Sequence, residues 1–109
     1  MKFPFVLINK NLRPRGIALF PFIIFREEKF RDDKVMMNHE LIHHRQEIEL
    51  LIIPFYFFYV LNYLINRFRF HTHHEAYMNI IFEREAYGNE TNPDYLKSRK
   101  WFGFMKYLP

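Results

Sequence analysis

The chain has 109 residues, of which half are hydrophobic and 20% are aromatic, and it contains no cysteine. This length suits one small domain, and the high apolar content excludes a disordered chain. The missing cysteine excludes disulfides, thiolate metal sites and cysteine nucleophiles. The net charge is +4, but Lys and Arg are interspersed with Asp and Glu, so we do not expect nucleic-acid binding.

Two short apolar segments, residues 3–8 and 17–25, are rich in Phe, Ile, Val and Leu. They predict strands, and the loop between them contains the turn formers Asn, Pro and Gly. Pro21 lies within the second segment and cannot donate to a sheet ladder, so we predict an edge strand there. The first segment is too short for a signal peptide, which favours a cytoplasmic protein.

Helical segments follow the two strands. Asp32 or Asp33 can cap a helix over residues 35–49, which contain good helix formers and no Gly or Pro. The uncharged and aromatic segment 50–66 predicts a second helix, about 26 Å long. That length is borderline for a membrane span, so we favour a core helix and keep a membrane-embedded or interfacial helix as the alternative.

Two more helices are predicted nearer the C-terminus. One covers residues 75–89, and the other covers residues 93–107 with Asn92 as its cap. We expect this last, amphipathic helix to cover the aromatic segment or to lie beside a substrate groove. The sequence therefore predicts one α+β domain over residues 1–109, mostly helical, with a short N-terminal β-hairpin or edge strands.

His39, Glu40 and His43 form an HExxH motif within the first predicted helix. Histidines at i and i+4 share one helix face, so both imidazoles can reach a single metal ion. Glu40 is rotated by about 100° from His39, which suits a general base acting on water that the metal activates. The spacing therefore predicts metal-assisted hydrolysis.

A catalytic zinc site usually has three protein ligands, so a third must come from another part of the chain. On a helix, Glu83 and Glu90 share a face with Ala86, whose small side chain allows close approach to the HExxH helix. Glu85 points elsewhere, toward solvent or an arginine. We favour Glu83 and leave a neighbouring carboxylate open. The other downstream candidates are His71, His73, His74, Glu75, Glu85 and Glu90.

The HELIH segment at 39–43, followed by EREA at 83–86, resembles the two motifs of the gluzincin metallopeptidases. The size of the chain resembles that of the minigluzincins, which are single-domain zincins. The resemblance implies a minimal zincin-like fold with Zn²⁺ as the cofactor. It also implies these site residues: His39, His43 and Glu83 as metal ligands, and Glu40 as the general base.

The chain departs from the family pattern at Tyr87, where the family has an Asp that commonly supports a ligand histidine. Glu90 or Glu47 can supply this support instead. The hydroxyl of Tyr77 or Tyr87 can stabilise an oxyanion.

We accordingly predict a zinc-dependent peptidase that hydrolyses peptide or protein substrates. An extended substrate can add to the predicted edge strand at 17–25. The alternative is a non-catalytic metal-binding or membrane-associated module, with membrane association through residues 50–66. The sequence leaves the oligomeric state open.

Overall fold

The computed structural model describes residues 4–108, and it confirms a mostly helical α+β fold. Three strands come first and six α-helices follow, with a 3₁₀ helix at the end. Their bounds are β1 Phe5–Ile8, β2 Gly16–Leu19, β3 Phe22–Phe25, α1 Glu28–Arg31, α2 Lys34–Glu49, α3 Ile53–Arg69, α4 His73–Met78, α5 Ile81–Asn89, α6 Tyr95–Ser98 and the 3₁₀ helix Gly103–Tyr107.

The sheet has the strand order β1-β3-β2, with β1 parallel and β2 antiparallel to the central β3. The prediction of one strand over residues 17–25 is wrong, because the chain turns at Phe20-Pro21 and forms two strands. Pro21 therefore lies in a turn and not in an edge strand, as expected of a residue that cannot donate to a ladder. The predicted first strand begins at residue 3, which lies outside the described residues.

Helix α2 begins as predicted. The Asp33 side chain accepts hydrogen bonds from the backbone N–H groups of Val35 and Met36, at 3.0 and 3.2 Å. His44 donates from Nε2 to the carbonyl of Phe22 at 2.7 Å, which ties α2 to the sheet. The buried side of α2 is unusually polar for a core helix. Its buried residues are Asn38, His39, Glu40, Ile42, His43, His44, Gln46, Glu47 and Glu49.

The chain bends by 112° between α2 and α3. Leu51 and Ile52 make this turn with positive φ angles of 61° and 64°. Pro54 lies in the first turn of α3, where its missing N–H costs nothing, and does not interrupt the helix. Within residues 4–108, no single helix has the length and apolarity to cross a membrane, whereas α2 and α3 together pass that test as a bent pair.

Two predicted helices are broken in the structure. The helix expected over residues 75–89 ends at Met78 and restarts at Ile81, whose N–H binds the side-chain oxygen of Asn62 on α3 at 2.9 Å. The helix expected over residues 93–107 is replaced by the short α6 and the 3₁₀ helix. Those two predictions of continuous helices are wrong.

The core lies where α3, α5 and the 3₁₀ helix meet. Phe55, Ile80, Phe82 and Phe104 form one buried cluster. Phe104 packs edge-on against Phe82, with ring centroids 5.0 Å apart. The C-terminal segment therefore completes the core beside α3. Of the two positions expected for it, this is the one over the aromatic segment 50–66.

Candidate metal centre

Three potential ligand atoms converge where α2 meets α5. Nε2 of His39 and Nε2 of His43 lie 3.2 Å apart, and Oε1 of Glu83 lies 3.1 and 3.0 Å from them. Ligands of a tetrahedral zinc, about 2.0–2.1 Å from the metal, lie about 3.3 Å from one another. The three side chains thus have close to the separation that one zinc ion requires. They are the only such group among residues 4–108.

The second heteroatom of each potential ligand also has a partner. Nδ1 of His39 donates to Glu90 Oε1 at 2.9 Å, and Nδ1 of His43 donates to Gln46 Oε1 at 2.8 Å. These acceptors fix a proton on each Nδ1, so both Nε2 atoms face the shared point. Oε2 of Glu83 accepts from the Tyr59 hydroxyl at 2.5 Å. Such outer partners are typical of metal sites.

Glu90, and not Glu47, occupies the supporting position beside His39. Asn38 on α2 holds the end of α5 there by donating to the carbonyls of Asn89 and Glu90, at 3.3 and 2.9 Å. Tyr87 instead packs edge-on against the His39 ring, with centroids 4.4 Å apart. Although Tyr87 replaces the Asp of the family pattern, His39 therefore still has a carboxylate partner, Glu90.

His43 and Glu83 favour opposite charges in each other, which shifts the pKa of both side chains. Burial lowers the pKa of His43, but the Glu83 carboxylate beside it raises that pKa to about 10. Burial also acts to raise the pKa of Glu83, yet the two histidines hold it well below its ordinary value. Glu83 is therefore an anion, and a cation between it and His43, whether a proton or a metal, is strongly favoured.

Glu40 is buried beside the same point. Burial raises the pKa of its carboxyl, while His43 and His39 act in the opposite direction. Gly16 of β2 passes so close that a Cβ there would lie 2.8 Å from the Phe25 ring and 3.4 Å from Glu40 Oε2. A side chain at position 16 would clash with the Phe25 ring and would only touch the carboxylate, so glycine allows β2 to pass this close to Phe25 beside Glu40.

Two cavities meet at the centre, and their walls share Pro14, Gly16, His39, Glu40 and Tyr77. The first, of about 390 Å³, is mostly apolar, and the second, of about 430 Å³, is more polar. The walls of the first also include Ile17, Ala18, Glu47, Phe55, Tyr56, Tyr59 and Val60. Residues 95–108 line neither cavity, so the expected position of the last helix beside the groove is not observed.

The remaining sequence candidates lie elsewhere. Glu85 was expected to face solvent or an arginine. It is fully buried and accepts a hydrogen bond from Arg99. His73 pairs with the Tyr63 hydroxyl at 2.6 Å on the exposed side of α4. His71 and His74 are exposed as well, and neither belongs to the metal-binding group.

Two residues of the centre were not predicted. Gln46 lies three residues after His43 on the same helix, a spacing that would have indicated contact. Tyr59 reaches Glu83 from α3, and no local pattern indicates this contact, because it depends on the 112° bend before that helix.

The likeness to gluzincins rests on two short sequence motifs and on the order of their residues. Their order along the chain is His39, Glu40, His43 and then Glu83. Comparison of the chain with protein-family models, with curated proteins and with solved structures finds no match.

Proposed function

We propose that the protein is a zinc-dependent peptidase of the gluzincin type. His39, His43 and Glu83 would hold the zinc, and Glu40 would be the general base. One observation carries the proposal: three buried ligand atoms lie within 3.2 Å of one another, next to Glu40 and at the meeting point of two cavities. The outer partners of the ligands support the same proposal.

Bound zinc supplies a Lewis acid that polarises a carbonyl and lowers the pKa of water. Glu40 takes a proton from the attacking water and delivers it to the leaving amine. The Tyr77 hydroxyl, which is 3.0 Å from that of Tyr87, faces the same space and is available to donate to a developing oxyanion. Burial raises the pKa of Tyr77, so this hydroxyl keeps its proton.

An extended peptide suits the shape of the groove. β2 pairs with β3 along one edge only, and Gly16, Ile17 and Ala18 line the apolar cavity. The Ala18 carbonyl accepts from the Tyr56 hydroxyl at 2.6 Å, so this edge of β2 faces α3 and the groove. Because Tyr56 and Glu47 already bond to the Ala18 carbonyl and the Phe20 N–H, substrate would pair with β2 toward Gly16, with an apolar side chain in the cavity.

The test separates metal binding from catalysis. Glu40→Gln should keep about one zinc per chain and lose hydrolysis of an unstructured protein by about 10²–10⁴-fold, since only the proton acceptor is removed. Glu83→Ala should lose both zinc and hydrolysis, because a ligand is removed. Elemental analysis and a fluorogenic casein assay measure the two quantities.

Glu28→Gln, an exposed carboxylate on α1, is the matched control and should leave both quantities unchanged. Hydrolysis by the Glu40→Gln variant at the rate of the unaltered protein would refute the proposed base. A zinc-loaded protein inactive on every peptide substrate would favour a non-catalytic metal-binding module instead.

A further inference from the structure

Helix α3 has an apolar face directed away from the core. Ile53, Phe57, Val60, Leu64 and Phe68 recur at the i, i+4, i+7, i+11 and i+15 positions of one stripe, which we call the outer face. All five are exposed, and Phe68 has 94% of its surface free. Such a continuous apolar stripe is rare on the surface of a soluble monomer.

The opposite side of α3 packs against the rest of the protein. Phe55 and Asn66 are buried, and Asn66 donates to the carbonyl of Ala76 on α4 at 3.0 Å. Tyr59 binds Glu83 in the candidate metal centre. The helix therefore has one side that packs and hydrogen-bonds to the protein and an apolar side that is uncovered. Its uncovered side can lie on a bilayer while its other side stays packed on the core.

The C-terminal segment extends the outer face. Phe58, Leu61 and Ile65 of α3 face Phe102 and Met105 across an apolar groove of about 400 Å³. Trp101, the single tryptophan, is 69% exposed next to this groove. An indole at the edge of an apolar surface is typical of a membrane interface, where its ring is buried and its N–H stays hydrated.

The charged residues around the outer face and the C-terminal segment indicate which kind of partner binds there. Residues 50–70 and 95–108 contain no Asp or Glu. Arg67 and Arg69 come on either side of Phe68, and Lys100 and Lys106 are neighbours of Trp101 and Met105 in the chain. All four cations are exposed. Basic groups around an apolar stripe are complementary to anionic lipid headgroups, whereas a two-fold contact between copies would bring the same cations together.

We propose that the outer face of α3 and the neighbouring C-terminal segment bind an anionic lipid bilayer. In this arrangement α3 lies in the plane of the membrane, with its apolar stripe at the boundary between headgroups and acyl chains. The arginines after Leu64 and the lysines around Trp101 contact the headgroups. This binding requires neither metal nor catalysis.

Trp101 provides a direct measurement with the full-length chain. Vesicles of phosphatidylcholine with about a quarter phosphatidylglycerol should shift its emission to shorter wavelength and should carry the protein in a flotation assay. Phe57→Ser/Phe68→Ser should weaken binding at least about tenfold, since two exposed aromatic side chains no longer enter the lipid. Arg67→Gln/Arg69→Gln should weaken binding to anionic vesicles by about tenfold.

Leu7→Ser on β1 and Lys10→Gln/Lys34→Gln are matched controls, because they change exposed apolar or basic residues away from α3. Both should bind vesicles like the unaltered chain, and circular dichroism verifies that every variant is folded. Equal binding to pure phosphatidylcholine would overturn the electrostatic part of the proposal. The whole proposal fails if vesicles neither shift the Trp101 emission nor carry the protein, or if Phe57→Ser/Phe68→Ser abolishes a lipid-independent dimer.

Discussion

At the scale of single residues, the proposed zinc site would place a proton and a metal ion in competition for His43. Its Nδ1 is held by Gln46, so Nε2 faces the Glu83 carboxylate at 3.0 Å, where a proton or the proposed zinc would bind. Glu83 raises the pKa of His43 to about 10, against the effect of burial, so His43 is protonated at neutral pH in the absence of metal. Zinc must displace that proton.

Zinc affinity is therefore expected to rise with pH. Below a pKa of about 10, the fraction of deprotonated His43 increases tenfold per pH unit, so the dissociation constant for zinc should fall by about tenfold per unit from pH 6 to pH 8. Glu83 is ionised throughout this range, because its pKa is lowered, and it adds nothing to the slope. Competition with a chelator of known affinity measures the constant, and a constant that does not change with pH would contradict the coupling.

The sequence is sufficient to predict the relative positions of residues that lie close together along one helix. His39, Glu40 and His43 lie within one helical turn, so their geometry follows from their spacing alone. The proximity of Glu83 to these residues follows only if α5 packs on α2, an arrangement that spacing along the chain does not specify. Their role as ligands stays a prediction until metal is measured.

At the scale of elements, helices were predicted well where they are continuous. Helix α2 begins next to Asp33, as the capping signal indicates. The break between Met78 and Ile81 was not predictable, because residues 75–89 contain no proline and their only glycine lies near the end. The chain breaks there for a tertiary reason: Asn62 on another helix provides the acceptor that the Ile81 N–H needs.

The turn between α2 and α3 gives a prediction about strain. Leu51 has a φ of 61°, which costs a non-glycine residue about 1–2 kcal/mol, and 78% of its surface is exposed. Leu51→Gly removes this strain but adds about 0.5–1 kcal/mol of chain entropy to the unfolded state. We expect the free energy of unfolding to stay constant or to rise by up to about 1 kcal/mol in urea denaturation.

The control is the same substitution in a regular helix. Leu64→Gly, at a half-exposed position in the interior of α3, should lower the free energy of unfolding by about 1 kcal/mol or more in lipid-free buffer. An equal loss for both variants would show that the turn at Leu51 carries no strain.

At the scale of the whole molecule, one buried arginine joins the C-terminal segment to the helices of the candidate centre. Arg99 forms two hydrogen bonds with Glu49 of α2, at 2.7 and 2.9 Å, and also binds Glu85 of α5. Glu85 in turn accepts from Gln46, the partner of His43. No room remains beside this network, since a Cβ on Gly103 would lie 2.9 Å from Arg99 Nε.

Arg99→Met is expected to destabilise the fold by about 3–5 kcal/mol, because it leaves two buried carboxylates without their cation. Thermal and urea denaturation measure the loss. Lys97→Met removes a cation from the same segment, but one that is 82% exposed, and should change stability by less than about 0.5 kcal/mol. Similar losses for the two variants would mean that the buried network contributes little.

Val60 belongs to two surfaces at once: it lines the apolar cavity beside Glu40, and it lies in the outer face of α3. With α3 flat on a bilayer, the groove opens at the level of the lipid headgroups. An α-helix is about 10 Å across, so the peptide bonds within reach of Glu40 would be those about one helix width from the membrane. If both proposals hold, the peptidase would select its cleavage sites by height above the lipid, which would favour the juxtamembrane segments of other proteins over chains free in solution.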